Sequence, residues 1–356
     1  MKNPPLVLGN CESYSSELFT NKNRKDDLFK PPLIQTVSSA NIELNLFSYQ
    51  DLCILKETLD FNLKRLSQIS GQYILIIAPY MRHFGHCIVD ILPAFEYIRE
   101  IYKNTTFKFL LPKMSPIKSI LLALDPDFWA DKIEVYNTHN GKAGLKLEGD
   151  IKIYLLDRYT HRSKGGSIDL IERIKRQNSK KLDLNDLIFC PRLEGSSNGR
   201  IQNTEEVDLI SKTIRNFIKD NKLQLNFKIF NPLLNDGSYM SIQDQRLFFK
   251  NAHTVLGPRG SAIHNIIWSK RFTDKNFKPL NVIEITQCLK KLQNLGVKCK
   301  DHRAKLMDIG SWNHYPEDFN SQYYHIFYKI KSLEDQYIYT EPKDIILALK
   351  KALESP

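Results

Sequence analysis

The sequence lacks the features by which several protein classes are recognised. No stretch of its 356 residues approaches the roughly 20 consecutive apolar residues of a membrane-spanning helix. Its first residues, MKNPPLVLGNCESYSSELF, do not place an apolar segment after a charged one, as a signal peptide does. From these absences we expect a cytoplasmic protein.

Cysteine is scarce, with 6 residues and no C-x-x-C pair. We predict reduced cysteines that pack inside the protein, without a disulfide framework. Cys288, Cys299 and His302 have only one short spacing between them and no fourth ligand nearby, which disfavours a zinc site. We therefore expect no bound metal.

Acidic residues are outnumbered, since 40 Asp and Glu stand against 51 Lys and Arg and give a net charge of +11. This charge favours an acidic partner, which could be nucleic acid, an anionic lipid surface or a phosphorylated small molecule. The sequence contains no helix-turn-helix, zinc-finger or RNP pattern, and no basic run interleaved with aromatic residues. We expect no nucleic-acid partner, and the other two classes remain open.

Short apolar runs alternate with helical patterns along the chain, which predicts an α/β fold with parallel sheets covered by helices. The first 50 residues favour an irregular segment with a strand pair. In the first half, strands are expected at 72–79, 107–112, 133–136 and 151–156, and helices at 53–68, 86–102 and 116–124. In the second half, strands are expected at 186–190, 226–230, 253–257 and 281–285, and helices at 204–220, 241–251, 261–269 and 342–354.

A polar stretch, THRSKGGS (160–167), and a basic segment, IERIKRQNSKK (171–181), predict a junction between two domains. We predict one domain over residues 1–180, a second over 181–340, and a C-terminal helix within 341–356 that packs on the body. Two Rossmann-like domains facing across a cleft would bind ligands at the carboxyl ends of their strands.

Residues 255–268, VLGPRGSAIHNIIW, favour a buried strand, a glycine turn and an amphipathic helix. The amides at such a helix start, with Gly260 admitting a ligand close to the backbone, predict an anion site. The spacing is neither G-x-G-x-x-G nor G-x-x-x-x-G-K-[ST], so neither a dinucleotide fingerprint nor a Walker site is predicted. Glu284, at the end of the next strand, either accepts hydrogen bonds from a ribose diol or is a surface carboxylate.

The segment CPRLEGSSNGRIQNTEEVDLI (190–210) leads from a strand end through a loop into a helix that Asn203 is expected to cap. Arg192 and Arg200 bracket the loop, and Arg259 lies in the glycine turn. Each could be a surface arginine, but three at the strand ends or adjoining loops of one half favour neutralisation of a diphosphate.

In the first half, MRHFGHCIVDILPAFEYI (81–98) opens a helix on which His86 and Asp90 share a face. A carboxylate at this spacing can hold an imidazole in one tautomer and raise its basicity, as a general base for a hydroxyl nucleophile requires. The alternative is a helix-start histidine that caps the helix or packs against Phe84. His83, in the turn itself, is the weaker candidate.

Four segments in this order resemble the catalytic region of glycosyltransferase family 61 over roughly residues 70–290: HFGHCIVDILP, PRLEGSSNGRIQNTEEV, SIQDQRLFFKNAHTVLGPRGSAIHNIIW and NVIEI. The positions that match the family's pattern are His86, Asp90, Arg200, Asn203, Glu206, Gln245, Gly260, Ser261, Asn265 and Glu284. The departures are Arg259 in place of a histidine, Ala262 in place of a glycine, His264 in place of a small hydroxyl residue and His83 in place of an asparagine.

The resemblance implies a GT-B fold and an inverting transfer of a sugar from a nucleotide-sugar, with UDP one possible carrier, to a glycan or lipid-linked acceptor. Members of the family need no metal-binding D-x-D motif, and the sequence has no convincing one, so the resemblance implies no metal and no cofactor besides the donor substrate. Catalysis falls to His86 and Asp90, and donor binding to Arg192, Arg200, Asn203, Arg259, Gly260, Ser261, Asn265 and Glu284. Without a membrane anchor, the chain resembles bacterial members linked to capsule or lipopolysaccharide assembly.

Two other functions fit the same residues. One is a sulfo- or phosphotransferase that uses the same arginine-lined cleft, and the other is a basic module that binds a nucleotide or polyanion without chemistry. The basic surface could also hold a transferase at an anionic membrane, at the inner face where a lipid-linked acceptor lies.

Overall fold

The computed structural model describes residues 33–45, 66–78, 81–138, 142–155, 173–174, 184–193, 201–234, 236–286, 320–328 and 337–354. The chain divides into two compact units, Met1–Arg173 and Ile174–Pro356. Within the described residues, each unit contains a sheet of five strands together with helices. The α/β fold class expected from the sequence is thereby confirmed.

The sheet of the first unit is mixed. Its strands are β1 (Leu33–Asn45), β2 (Leu66–Ile77), β3 (Lys108–Pro112), β4 (Ile133–Tyr136) and β5 (Lys142–Leu155). They lie in the order β1-β5-β2-β3-β4, with β1 antiparallel to β5 and the other neighbours parallel.

A helical stretch follows β2 in three consecutive pieces: α1 (Phe84–His86), a π-helical turn (Cys87–Ile91) and α2 (Leu92–Tyr102). Pro93 lies in the first turn of α2, directly after the π-helical turn. Two further helices are α3 (Ile117–Leu124) and α4 (Pro126–Trp129). The helix predicted over 86–102 therefore exists, but a π turn interrupts it.

The sheet of the second unit is wholly parallel, in the order β10-β9-β8-β6-β7. Its strands are β6 (Asp186–Phe189), β7 (Asn226–Ile229), β8 (Ala252–Pro258), β9 (Leu280–Thr286) and β10 (Ser321–Phe327). Its helices are α5 (Thr204–Asp220), α6 (Ile242–Phe249), a 3₁₀ helix (Ser261–Trp268), α7 (Lys270–Thr273) and α8 (Pro342–Glu354).

The core of the second unit forms where α5 and α8 cover one face of this sheet. Ile210 and Ile214 of α5 are four residues apart, so they share a helix face, and both are fully buried. Ile283 and Ile285 of β9 point into the same cluster. Because side chains alternate along a strand, Glu284 between them points to the opposite face of the sheet.

Two expectations about the elements are wrong or incomplete. Residues 66–68, expected at the end of a helix over 53–68, belong to β2, where pairing with β5 overrides the local helical pattern; residues 53–65 lie outside the described part. β10 was not expected from the sequence at all. Its run of tyrosines, isoleucine and phenylalanine in SQYYHIF is nevertheless typical of a strand.

Candidate active site

The candidate site lies at one edge of the second sheet, where its parallel strands end. Arg192 follows β6, Arg259 and Gly260 follow β8, and Glu284 lies near the end of β9. The carboxyl ends of parallel strands meet at one edge, which is the usual place for a ligand in an α/β sheet. The structure thus brings together four of the predicted donor-binding residues.

Glu284 is a buried carboxylate, with 7% of the residue exposed. Its Oε1 lies 3.8 Å from Nε of Arg259, and its Oε2 lies 3.6 Å from Nδ1 of His325. Burial raises the pKa of Glu284 to about 7, although the Arg259 charge opposes this. The alternative of a surface carboxylate is therefore wrong, because β10 and the turn after β8 enclose this side chain.

His325 is a second buried titratable group at this edge, and the sequence reasoning missed it. The parallel register of β9 and β10 places it directly beside Glu284. Burial, and secondly the charge of Arg259, lower the pKa of His325 to about 4, so its ring is neutral at pH 7. Tyr323, two residues earlier, has its pKa raised by burial and then by the Glu284 charge.

The side chain of Arg192 contacts the backbone of Arg259. Nη1 of Arg192 donates to the carbonyl oxygen of Arg259 over 3.2 Å. Gln202 makes two hydrogen bonds to the backbone of Arg192. Its backbone N–H donates to the Arg192 carbonyl over 2.8 Å, and its side-chain Oε1 accepts from the Arg192 backbone N–H over 3.3 Å. Gln202 is 1% exposed, so this clamp fixes the point where the chain leaves β6.

Two glycines flank Arg259 and serve different purposes. A Cβ at Gly257 would lie 2.4 Å from the carbonyl oxygen of Cys190, so the close approach of β8 to β6 requires glycine there. A Cβ at Gly260 would meet nothing closer than Nη1 of Arg192, at 3.7 Å. Protein packing therefore does not demand glycine at position 260, and its missing side chain leaves space in front of the Arg192 guanidinium.

The helix expected over 261–269 is a 3₁₀ helix, Ser261–Trp268, with Gly260 at its N-cap. The predicted anion site therefore depends on local amides and arginines more than on an α-helical dipole. The Arg259 amide donates to the Ile285 carbonyl over 2.9 Å, so the next two amides, of Gly260 and Ser261, are the candidate anion donors. The Ser261 side chain is outside the described atoms.

Asn265 lies within this 3₁₀ helix and is 1% exposed. Its Nδ2 donates to Oε1 of Gln245 over 3.1 Å and to the Ala262 carbonyl over 3.2 Å, and its Oδ1 accepts from Nε1 of Trp268 over 3.0 Å. These contacts make Asn265 a positioning residue for the turn. A direct contact between Asn265 and a donor stays a prediction.

Asn203 caps α5, as expected, because its Oδ1 accepts from the Glu206 amide over 2.8 Å. Glu206 is buried, and its Oε1 accepts from the amide of Thr340 over 2.6 Å, which joins the start of α5 to the segment before α8. Arg200 and the rest of the loop over 194–200 lie outside the described residues, so the predicted role of Arg200 stays a prediction.

In the first unit, the predicted catalytic pair falls on the helical stretch after β2. His86 is exposed and ends α1, and the backbone of Asp90 lies in the π-helical turn, while the Asp90 side chain is outside the described atoms. The ring of His83 lies 6.1 Å from that of His86, and burial, followed by the charges of His86 and Arg82, lowers the pKa of His83. π turns are rare in proteins, and those that occur are often found at functional sites.

Buried hydrogen bonds fix the start of the helical stretch that follows β2. Sγ of Cys87 donates to the Met81 carbonyl over 3.1 Å, and the Ser115 hydroxyl donates to the same carbonyl. Cys87 and Cys190 are both buried, as expected for cysteines that pack inside the protein. Cys11, Cys53, Cys288, Cys299 and His302 lie outside the described residues.

The part of the chain that the structure describes contains no group of three or more His, Cys, Asp or Glu side chains that could hold a metal ion. Metal independence stays a prediction.

None of the helices within the described ranges is long and apolar enough to cross a membrane.

A comparison with protein families identifies one model that matches the chain. The model, Glycosyltransferase 61, covers residues 84–274, more than half of the 356 residues. The matched range begins at α1 and ends just after α7, so Glu284 and His325 lie beyond it. No curated protein matches the chain.

Proposed function

Since this chain belongs to the glycosyltransferase 61 family, and is therefore a glycosyltransferase, we propose that it transfers a sugar from a nucleotide-sugar with inversion at the anomeric carbon. The acceptor is a hydroxyl of a glycan or a lipid-linked glycan. The proposal includes the GT-B architecture that the resemblance implies.

One observation carries the donor half of this proposal. Arg192 and Arg259 lie beside the Gly260 turn at the carboxyl edge of a parallel sheet, and the Glu284 carboxylate is next to them. Two guanidinium groups and the amides of Gly260 and Ser261 suit the diphosphate of a nucleotide-sugar. Glu284 suits the ribose, because a carboxylate accepts hydrogen bonds from a diol.

Inversion requires one direct displacement. The acceptor oxygen forms a bond to the anomeric carbon while the bond from that carbon to the diphosphate oxygen breaks, and the acceptor proton passes to a base. The charge that develops on the leaving diphosphate is stabilised by Arg192, Arg259 and the two amides. This assignment gives the arginines the role that a metal ion has in transferases with a D-x-D motif.

The base that takes the acceptor proton is His86 or Asp90, in the helical stretch of the first unit. His86 is exposed, so an acceptor hydroxyl can reach its ring. A carboxylate paired with an imidazole fixes its tautomer and stabilises the imidazolium formed by proton transfer. The resemblance supports both residues, and the contact between their side chains is part of the proposal.

The cellular setting is also part of the proposal. The net charge of +11 suits a cytoplasmic enzyme that approaches the anionic inner face of a membrane to reach a lipid-linked acceptor in surface-polysaccharide synthesis. Co-sedimentation with vesicles of phosphatidylglycerol and phosphatidylcholine tests this. Equal binding to vesicles of phosphatidylcholine alone would contradict a charge-driven approach.

The central experiment is a thermal-shift panel with UDP, GDP, CMP, ADP and NAD, followed by assays with the sugar conjugates of the nucleotide that stabilises the protein. We expect one sugar-carrier nucleotide to raise Tm, and proton NMR of the product to show the inverted anomer. Retention would contradict inversion. Tight, strongly salt-dependent binding of polyanions without turnover would favour a binding module instead.

A further inference from the structure

We propose that His325 is a positioning residue for the donor site, where it holds the Glu284 carboxylate in the orientation that accepts the donor's hydroxyl groups. This inference rests on the proposed function, because it assumes that Glu284 contacts the donor. His325 lies beyond the residues that match the family model, so the structure alone points to it.

The first observation is the register of the sheet. β10 pairs with β9 in parallel over seven residue pairs, and His325 stands opposite Glu284. Residues opposite each other in neighbouring strands point to the same face. On the other side of β9, the residue opposite Glu284 is Gly257, which has no side chain. Glu284 therefore has the side chain of His325 on one flank and no opposing side chain on the other.

The second observation is the distance between the two side chains. Nδ1 of His325 lies 3.6 Å from Oε2 of Glu284, and a shift of a few tenths of an ångström brings the two atoms into hydrogen-bonding range. His325 is fully buried, so its neighbours restrict the ring to this position. We assign the proton of the neutral ring to Nδ1, since this nitrogen faces the carboxylate.

The third observation is that the two oxygens of the Glu284 carboxylate have different neighbours. Arg259 approaches Oε1 and His325 approaches Oε2, so each oxygen has its own partner. The groups around Glu284 are Arg259 after β8 and His325 and Tyr323 on β10. Because burial, and secondly the nearby charge of Arg259, lower the pKa of His325, its ring stays neutral and can donate one hydrogen bond without becoming a competing cation.

A neutral donor has a specific consequence at this position. It takes one lone pair of Oε2 and fixes the rotation of the carboxylate, while the remaining lone pairs stay available for a diol. A second cation would bind the carboxylate more strongly and hold it away from the ligand. His325 thus acts through Glu284 and does not itself touch the donor.

The test is a double-mutant cycle on donor affinity. Isothermal titration with UDP, GDP and ADP is carried out on wild type, Glu284→Gln, His325→Leu and the double variant. In the wild-type background we expect His325→Leu to lower the nucleotide affinity by about tenfold, which is the effect of losing one hydrogen bond to a charged group. In the Glu284→Gln background the same change is expected to have less than about a twofold effect.

Conservative variants separate positioning from packing. The amide nitrogen of His325→Asn lies near the position of Nδ1, so this variant is expected to bind within about threefold of wild type, whereas His325→Leu is not. His253 is the matched control, since it is a second histidine of the same sheet, partly buried at the start of β8. We expect His253→Leu to keep wild-type affinity, and the Tm of every variant reports its folding.

A second measurement does not depend on any nucleotide. A neutral N–H beside a carboxylate stabilises its ionised form, so the NMR-measured pKa of Glu284 is expected to rise in His325→Leu and to stay near wild type in His325→Asn.

The outcomes are distinguishable. If Glu284→Gln weakens binding but His325→Leu has no effect, or an equal effect in both backgrounds, the role of His325 is wrong and the proposed function stands. If none of the three nucleotides binds wild type, the proposed nucleoside-diphosphate donor fails, and the positioning of a donor-binding carboxylate fails with it. An unchanged Glu284 pKa in His325→Leu overturns the contact itself.

Discussion

Nε of Arg259 lies 3.8 Å from Oε1 of Glu284, which joins the turn after β8 to the neighbouring strand β9. The Arg259 side chain remains 30% exposed, whereas that of Glu284 is 9% exposed. The arginine can therefore reach outward to an anion while its Nε stays near the carboxylate. This pair places the proposed diphosphate and ribose contacts side by side.

Replacing Arg259 by alanine is expected to abolish most of the thermal stabilisation by the nucleotide that binds wild type. One hydrogen-bonded contact to a charged phosphate is worth about 1.5–3 kcal/mol, so the affinity should fall by roughly 10- to 150-fold. The measurement is the thermal-shift titration. Arg215→Ala is the control, because this exposed arginine lies next to Phe227 at the start of β7. Equal losses in both variants would indicate a general charge effect.

The two glycines of the β8 turn give a matched pair of variants. Gly260→Ala is expected to unfold at nearly the wild-type temperature but to bind the nucleotide more weakly, because its new methyl group fills the space before Arg192 and touches no backbone atom closely. Gly257→Ala is expected to lower Tm, since its Cβ would lie 2.4 Å from the Cys190 carbonyl oxygen. The reverse pattern would place the ligand space elsewhere.

Glu284 is expected to destabilise the fold at high pH. Its folded-state pKa is about 7, above the ordinary value of 4.5, so the folded state binds more protons between these values and stability falls as pH rises through this window. Above the folded-state pKa, the cost is on the order of 3 kcal/mol. We expect Glu284→Gln to match wild type near pH 4.5 and to exceed it at pH 8.

Urea denaturation of wild type and Glu284→Gln between pH 4.5 and pH 8 measures this difference. The same variant should bind the nucleotide more weakly, so stability and function are expected to change in opposite directions. A variant that is less stable than wild type at pH 8 would mean that the ion pair with Arg259 outweighs the burial of the carboxylate.

Asp90→Asn is expected to lower kcat by about 10²–10⁴, the usual contribution of general-base catalysis, with donor affinity near wild type. Single-turnover rates and nucleotide Kd values measured on the same protein separate the two effects. Equal losses of turnover and donor binding would exclude Asp90 as base or as the group that orients it.

His86→Ala is expected to behave as Asp90→Asn does, because the two residues are proposed to act as a unit. His83→Ala is the matched control in the same turn, with its ring 6.1 Å from that of His86. A larger loss of kcat in His83→Ala than in His86→Ala would move the base to His83, whose lowered pKa keeps it neutral at pH 7.

Local patterns were sufficient for much of the second unit. The strand over 186–189, the helix over 204–220 and its Asn203 cap all follow from residues close together in sequence, because a strand run, a helical face and a cap are short-range features. The same patterns indicated that Arg192, Arg259 and Glu284 lie at strand ends. Each of these conclusions needed only neighbouring residues.

The sequence by itself thus determined the α/β class, the elements of the second sheet except β10, and the residue types that suit a phosphorylated donor. Only the tertiary structure decided that Glu284 is buried, that Arg259 and His325 lie on its two oxygens, and that residues 66–68 form a strand. The physical reason is that parallel strands pair through residues far apart in the chain, and no local pattern encodes which strand becomes the neighbour of β9 or in which register. Burial and pKa follow from that pairing, so they too are properties of the folded sheet.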